Sequence, residues 1–176
     1  MNKIIKWLLV ATLGVLAVLL LGGLALPSHY SVARETVINA PVERVFGLVA
    51  SPRAWKQWTV WNRRDPAMQI QYTGPETGAG AEWSWKSESE GEGRMTFTQV
   101  EPLQRIAYEL RFAGYKPSTG EMRFAAEGIG TRVAWTMQGD TGRNPLMHWM
   151  ALAMNSMVGK DFETGLANLK ALAEKP

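Results

Sequence analysis

Residues 144–174 read NPLMHWMALAMNSMVGKDFETGLANLKALAE, and the architecture turns on how this stretch folds. Asn144 is a good helix N-cap and Pro145 a good first helical residue. Apolar side chains then recur at helical spacing: Leu146, Trp149, Met150, Ala153, Met157, Phe162, Leu166, Leu169 and Leu172. The stripe predicts one helix reaching about Glu174. At ~1.5 Å per residue it is long enough to cross a whole sheet. Gly159 and Gly165 lower its propensity and mark a bend or a close approach.

Upstream of this helix the period is two. Met68, Ile70 and Tyr72 alternate with polar residues, and so do Ala81, Trp83 and Trp85. Met95 and Phe97 follow, then Ile106, Tyr108, Leu110 and Phe112, then Met122 and Phe124, then Val133, Trp135 and Met137. Glycines and prolines separate the runs. The pattern is an antiparallel meander with one apolar and one wet face. Glu109 and Arg111 fall on the wet face in this phase.

Earlier still, Ser31 to Ile38 reads as a strand. Pro41 then starts a short helix with Val42, Val45, Phe46 and Val49 on one side. Ser51-Pro52 starts a second short helix carrying Trp55, Trp58 and Trp61. The order is strand, two short helices, six strands, one long helix. A sheet with one apolar face must be covered, and the only large apolar helix arrives last. The expected class is therefore α+β, with a curved antiparallel sheet of about seven strands wrapped around the C-terminal helix.

The N-terminal end belongs to a different solvent. Trp7 to Leu26 is almost wholly apolar and uncharged. At ~1.5 Å per residue it spans a ~30 Å hydrocarbon core as a transmembrane helix. Lys3 and Lys6 precede it, so the positive-inside rule leaves the N-terminus cytoplasmic and exports the remainder. A cleaved signal peptide, cut after Ala25, is the rival reading, although the run is longer than such an apolar region. Either way the expected location is extracytoplasmic; as an anchor, the segment makes a single pass through a bacterial-type inner membrane. Residues 1–29 form the anchor and linker, and 30–176 the folded domain.

The formal charge of +3 drops to +1 once Lys3 and Lys6 are set aside. Basic residues such as Arg34, Arg53 and Arg105 are scattered, which gives no ground for a nucleic-acid partner. The chain has no cysteine, which excludes disulfides, thiolate metal sites and thiol nucleophiles. His29 and His148 have no Asp, Glu or His at ligand spacing, so no metal is expected. No serine sits in a nucleophile elbow, and Gly78-Ala79-Gly80 lies in a hairpin rather than before a helix. No cofactor is implied. Glu82, Glu88, Glu90 and Glu92 read as a solvated edge.

Several short motifs resemble a known group. They are Ala40-Pro41-Val42-Glu43-Arg44-Val45-Phe46, Ser51-Pro52 leading to Trp55, Tyr72-Thr73-Gly74-Pro75, Gly78-Ala79-Gly80-Ala81, Gly91-Glu92-Gly93, and Asp161-Phe162-Glu163 with Gly165-Leu166. With the order of elements they resemble the START-like helix-grip superfamily (SRPBCC), and within it the polyketide cyclase/dehydrase and lipid-transport branch. That resemblance implies a helix-grip fold with a deep cavity between sheet and long helix. It also implies lipids, steroids, polyketides or aromatics as guests, with only some members being enzymes.

The candidate cavity walls are Trp83, Trp85, Phe97, Tyr108, Leu110, Phe112, Phe124 and Trp135, facing Met150, Met154 and Met157 on the helix. Eight tryptophans and nine methionines suit a roomy, pliable interior, or else collapse it. An empty void of ~400 Å³ would cost on the order of 10 kcal/mol, so the interior is occupied, wet or collapsed. Trp55, Trp58 and Trp61 read as packing onto the sheet edge, as a gate at the cavity mouth, or as a membrane contact. The expected function is binding or transfer of an apolar small molecule or lipid, without catalysis. The alternatives are a cyclase or dehydratase using Tyr108 or a buried carboxylate, and an interaction module with a vestigial cavity.

Overall fold

The alternating runs pair in chain order, as hairpin-linked strands do. The computed structural model describes residues 2–175; Met1 and Pro176, the outer bounds of the two expected segments, lie outside them. In chain order the elements are α1 (Lys3–Ala25), β1 (His29–Ile38), α2 (Val42–Gly47), α3 (Pro52–Trp55), α4 (Trp61–Arg64) and β2 (Gln69–Thr73). There follow β3 (Glu82–Ser87), β4 (Gly91–Glu101), β5 (Arg105–Phe112), β6 (Ser118–Glu127), β7 (Gly130–Asp140) and α5 (Pro145–Ala173). The sheet has seven strands in the order β1-β7-β6-β5-β4-β3-β2, antiparallel at every junction. One face holds α5 and the short helices. The other is wet, with Glu121 between Arg105 and Arg123, and Arg111 on Glu109. Such exposed pairs contribute little stability each.

Three details differ from the expectation. The second short helix is two separate turns, α3 and α4. A continuous helix would aim Trp55, Trp58 and Trp61 along one stripe, whereas each indole here donates to a different acceptor. Trp55 reaches the Val49 carbonyl at 2.8 Å, Trp58 the Leu48 carbonyl at 3.0 Å, and Trp61 the Asp161 carboxylate at 3.1 Å. The break lets all three be satisfied. In β4, the register slips between Phe97 and Gln99. The extra residue at Thr98 is a bulge that returns Val100, not Gln99, to the inner face.

The third difference lies in α5, which has two halves. Phe162, Leu166, Leu169 and Ala173 are buried against the sheet. Leu146, Trp149 and Met157, all assigned to the buried stripe, are instead exposed, Met157 by 63%. Before Gly159 the helix is met on one side by α1 rather than by strands. Gly22 and Gly23 pack on Trp149 and Pro145, the Trp149 indole donates to the Leu19 carbonyl at 2.9 Å, and a His148 ring nitrogen lies 2.7 Å from the Gly23 carbonyl. Gly159 and Gly165 are close approaches. A Cβ at Gly159 would strike the Arg34 guanidinium, and one at Gly165 would lie 3.1 Å from the Trp135 ring.

The remaining 23-residue α1 has a mean hydropathy of 2.6 over its most apolar window and only Gly23 buried. It is long and apolar enough to cross a membrane. Leu26, Pro27 and Ser28 alone connect it to β1.

Candidate ligand cavity

Rows of cross-strand partners share a sheet face, and three rows define the interior. The first runs Tyr72, Trp83, Met95, Leu110, Ser118 across β2 to β6. The second runs Phe97, Tyr108, Gly120, Met137, Val32. In the third, Val100, Ile106, Met122 and Trp135 lead to Arg34. Aromatic rings fill the third row's end of the hollow. Trp135 stacks on Phe162 with centroids 3.8 Å apart and planes at 6°. Trp58 meets Trp135 edge-on at 5.3 Å, and Trp55 lies 5.1 Å from Trp83. This packed cluster consumes most of the large side chains. Past it, the Tyr108 ring lies over Gly120, the small Ser118 follows on the inner face of β6, and a cavity of about 690 Å³ remains beneath the first half of α5.

Its walls are Trp83, Met95, Leu110 and Met137 on the sheet, and Met147, Met150, Met154 and Val158 on α5. One rim is formed by Met68, Ile70, Tyr72 and Trp85, the other by Tyr115, Lys116, Thr141 and Asn144. The Asn144 side chain caps α5 by accepting from the Leu146 amide, which fixes this second rim.

Several polar groups around the cavity are held by one another. The Tyr108 hydroxyl accepts from the Trp135 indole at 2.8 Å and donates to the Thr136 carbonyl at 3.1 Å. Complete burial raises the Tyr108 phenol well above the ordinary tyrosine range. Tyr72 is also raised, mainly by desolvation, against the Arg53 guanidinium 4.4 Å over its ring. Tyr30 and Ser118 share a hydrogen bond of 2.7 Å. Asp161 accepts from Arg64 at 2.7 Å and from Trp61, while Glu90 holds the other side of Arg64 at 2.8 Å. At the second rim Lys116 bonds Asp140, which also accepts from the Gly142 amide at 2.9 Å. The lysine first, then that amide, hold the Asp140 carboxyl well below its ordinary range. Among the described residues no buried side-chain nitrogen or oxygen lacks a partner, and no three His, Asp or Glu converge as a metal site would need.

Of the residues singled out from sequence, Trp83, Trp85, Tyr108, Leu110, Phe112, Trp135, Met150 and Met154 border the cavity. Phe97 and Phe124 face inward but away from it: Phe97 packs under Trp83 at 5.7 Å, and Phe124 against Phe46 at 5.3 Å. Met157 points outward, because Val158 takes the inward position one residue on. Trp55 and Trp58 are 2% and 0% exposed, so neither is a membrane contact. Trp55 and Trp61 border the cavity, while Trp58 is core. Tyr30, Lys116, Ser118 and Asp161 escaped the sequence reading. Ser118 and Gly120 continue the Met122, Phe124 alternation backwards, and small residues at inward positions were the signal.

A curved antiparallel sheet closed by a terminal helix over a deep cavity defines a helix-grip domain. The chain belongs to the polyketide cyclase/dehydrase and lipid transport family, whose profile matches residues 29–174. Solved structures with this fold include a protein from Rhizobium leguminosarum, 23% identical, with a TM-score of 0.61, covering 84% of this chain and 96% of that one. A protein from Chromobacterium violaceum is 18% identical, with a TM-score of 0.57 and coverages of 83% and 98%. The di-domain ARO/CYC protein BexL of the BE-7585A biosynthetic pathway is 17% identical, with a TM-score of 0.60 and coverages of 85% and 51%. No curated protein matches the sequence.

Proposed function

We propose that this domain binds an apolar small molecule or lipid between its sheet and α5, and presents or transfers it at a membrane without altering it. The cavity carries the reading. Its volume of about 690 Å³ falls within the ~300–1,000 Å³ of ligand pockets. The hollow opens between its two rims, so without a guest its apolar walls would meet water. Water would find few partners along Met95, Leu110, Met150 and Met154. A guest with an apolar body removes that cost, and methionine walls adapt to its shape.

Binding rather than chemistry is supported by how the nearby polar groups are engaged. The Tyr108 hydroxyl is committed to Trp135 and Thr136, and Asp161 and Glu90 are held by Arg64. A membrane setting is supported by α1, whose apolar side chains are exposed and would otherwise face water. Lys3 and Lys6 in its first turns favour, by the positive-inside rule, a domain on the outer side of a bacterial-type inner membrane. A fragment beginning at Ser28, examined by native mass spectrometry, should carry one apolar molecule per domain. A bare polypeptide mass, together with no uptake of a fluorescent fatty acid, would sink the reading.

A cyclase or dehydratase is the second reading, favoured by the family's description and the likeness to BexL. Asp161, which lines the cavity with Glu90 and Asp140 and sits on α5 beside Phe162, is the carboxylate whose loss tests proton movement. In that case Asp161→Asn would abolish turnover of a polyketide-like substrate while leaving ligand uptake intact.

A further inference from the structure

We infer that the first half of α5 is seated in the bilayer surface beside α1, which puts one rim of the cavity among the lipid headgroups. This rests on the proposal that α1 spans a membrane, and it is independent of what fills the cavity.

The first observation is a change of character along one helix. Residues 144–159 contain no Asp, Glu, Lys or Arg. Within them Leu146, Trp149, Leu152 and Met157 are 45%, 39%, 58% and 63% exposed. At ~3.6 residues per turn, Leu146, Trp149, Ala153 and Met157 share one face, with Leu152 at its border. From Lys160 onward charge returns to the exposed positions at Lys160 and Glu163, alongside Thr164, Ala167 and Ala171. Single exposed apolar residues are ordinary, but a contiguous uncharged face marks a contact.

The second observation is where that face lies. The last turns of α1 meet α5 at backbone distance: a Cβ at Gly23 would strike the Pro145 carbonyl, and one at Gly22 would lie 2.8 Å from the Trp149 ring. Trp149 and His148 reach the α1 carbonyls of Leu19 and Gly23. The uncharged face therefore begins where an apolar span ends, at the depth where a membrane surface would lie. Tryptophan favours that zone, and a helix with one apolar face lies in it. On the neighbouring side of α5, Met147 and Met150 border the cavity. An acyl chain could pass from the bilayer into the hollow along α5 without crossing water.

The chain's lack of cysteine permits a clean test. Leu16→Cys, Leu152→Cys, Met157→Cys and Glu163→Cys, each in the full-length chain, would carry an environment-sensitive fluorophore in phosphatidylethanolamine/phosphatidylglycerol vesicles. Positions 152 and 157 should be quenched several-fold more than 163 by shallow nitroxide lipids, and shielded from iodide. Position 163 should show the reverse. Equal iodide access at 152, 157 and 163 would overturn the inference. So would shielding from both quenchers, which would mean that a second copy covers the face. Lipid quenching at 16 without any at 152 or 157 removes this inference alone, and its absence at 16 removes the membrane span as well. If one variant fails to fold, the other of 152 and 157 decides.

Discussion

Gly120 stands where an inward side chain would close the space that Tyr108 occupies. A Cβ there would collide with the Tyr108 hydroxyl and with the Thr136 carbonyl, and backbone cannot step aside. Gly120→Ala should therefore lower stability by about 1–3 kcal/mol, read as a lower denaturant midpoint. Tyr108→Phe strands the Trp135 indole N–H in a dry core and should cost about 1–3 kcal/mol. Burial also keeps the Tyr108 phenol neutral. Its raised pKa adds stability below the ordinary tyrosine value of ~10, which is lost as pH climbs beyond it. In an ultraviolet titration of the folded protein, Tyr108, one of four tyrosines, should resist ionisation until unfolding. Large inward residues such as Trp83 and Trp135 were legible because alternation advertises them. Ser118 and Gly120 were not, since hydrophobic patterning is silent about positions whose role is to leave room.

The contrast between the halves of α5 sets the element-scale expectations. Phe162 stacks on Trp135 inside the packed cluster, so Phe162→Ala should cost about 3–5 kcal/mol. Met154 faces open cavity, so Met154→Ala should fall well below the ~2–5 kcal/mol of a packed methionine. Paired thermal melts of the two variants would check this. The helix itself was plain from Asn144 onward, yet the stripe was misplaced before Gly159. A stripe drawn from apolarity alone assumes that every apolar residue seeks the same partner. Here Met150 and Met154 face the cavity while Leu146, Trp149 and Met157 turn outward. The tryptophan triplet misled for a related reason: equal spacing suggested one helix, but indole N–H groups needing separate acceptors broke it.

For the molecule as a whole, the meander was readable because each strand pairs with its successor, from β2 through to β7. The return of β1 to β7 leaves no mark in periodicity and was not anticipated. The Lys116–Asp140 contact ties the β5–β6 connection to the end of β7 at the cavity rim. Because the Asp140 pKa is depressed, its contribution is present above the ordinary carboxylate value of ~4 and fades as pH falls towards the folded value. The stability gap between the native protein and Asp140→Asn should be constant near neutrality and narrow in acid, as denaturant curves across pH would reveal. The link between α1 and β1 has a consequence of its own. Leu26, Pro27 and Ser28, fully extended, reach only ~10 Å. If α1 is held in a bilayer as proposed, the domain is on too short a leash to ferry cargo across any compartment, and any guest would have to be collected by a visitor or returned to the sheet of lipid it stands on.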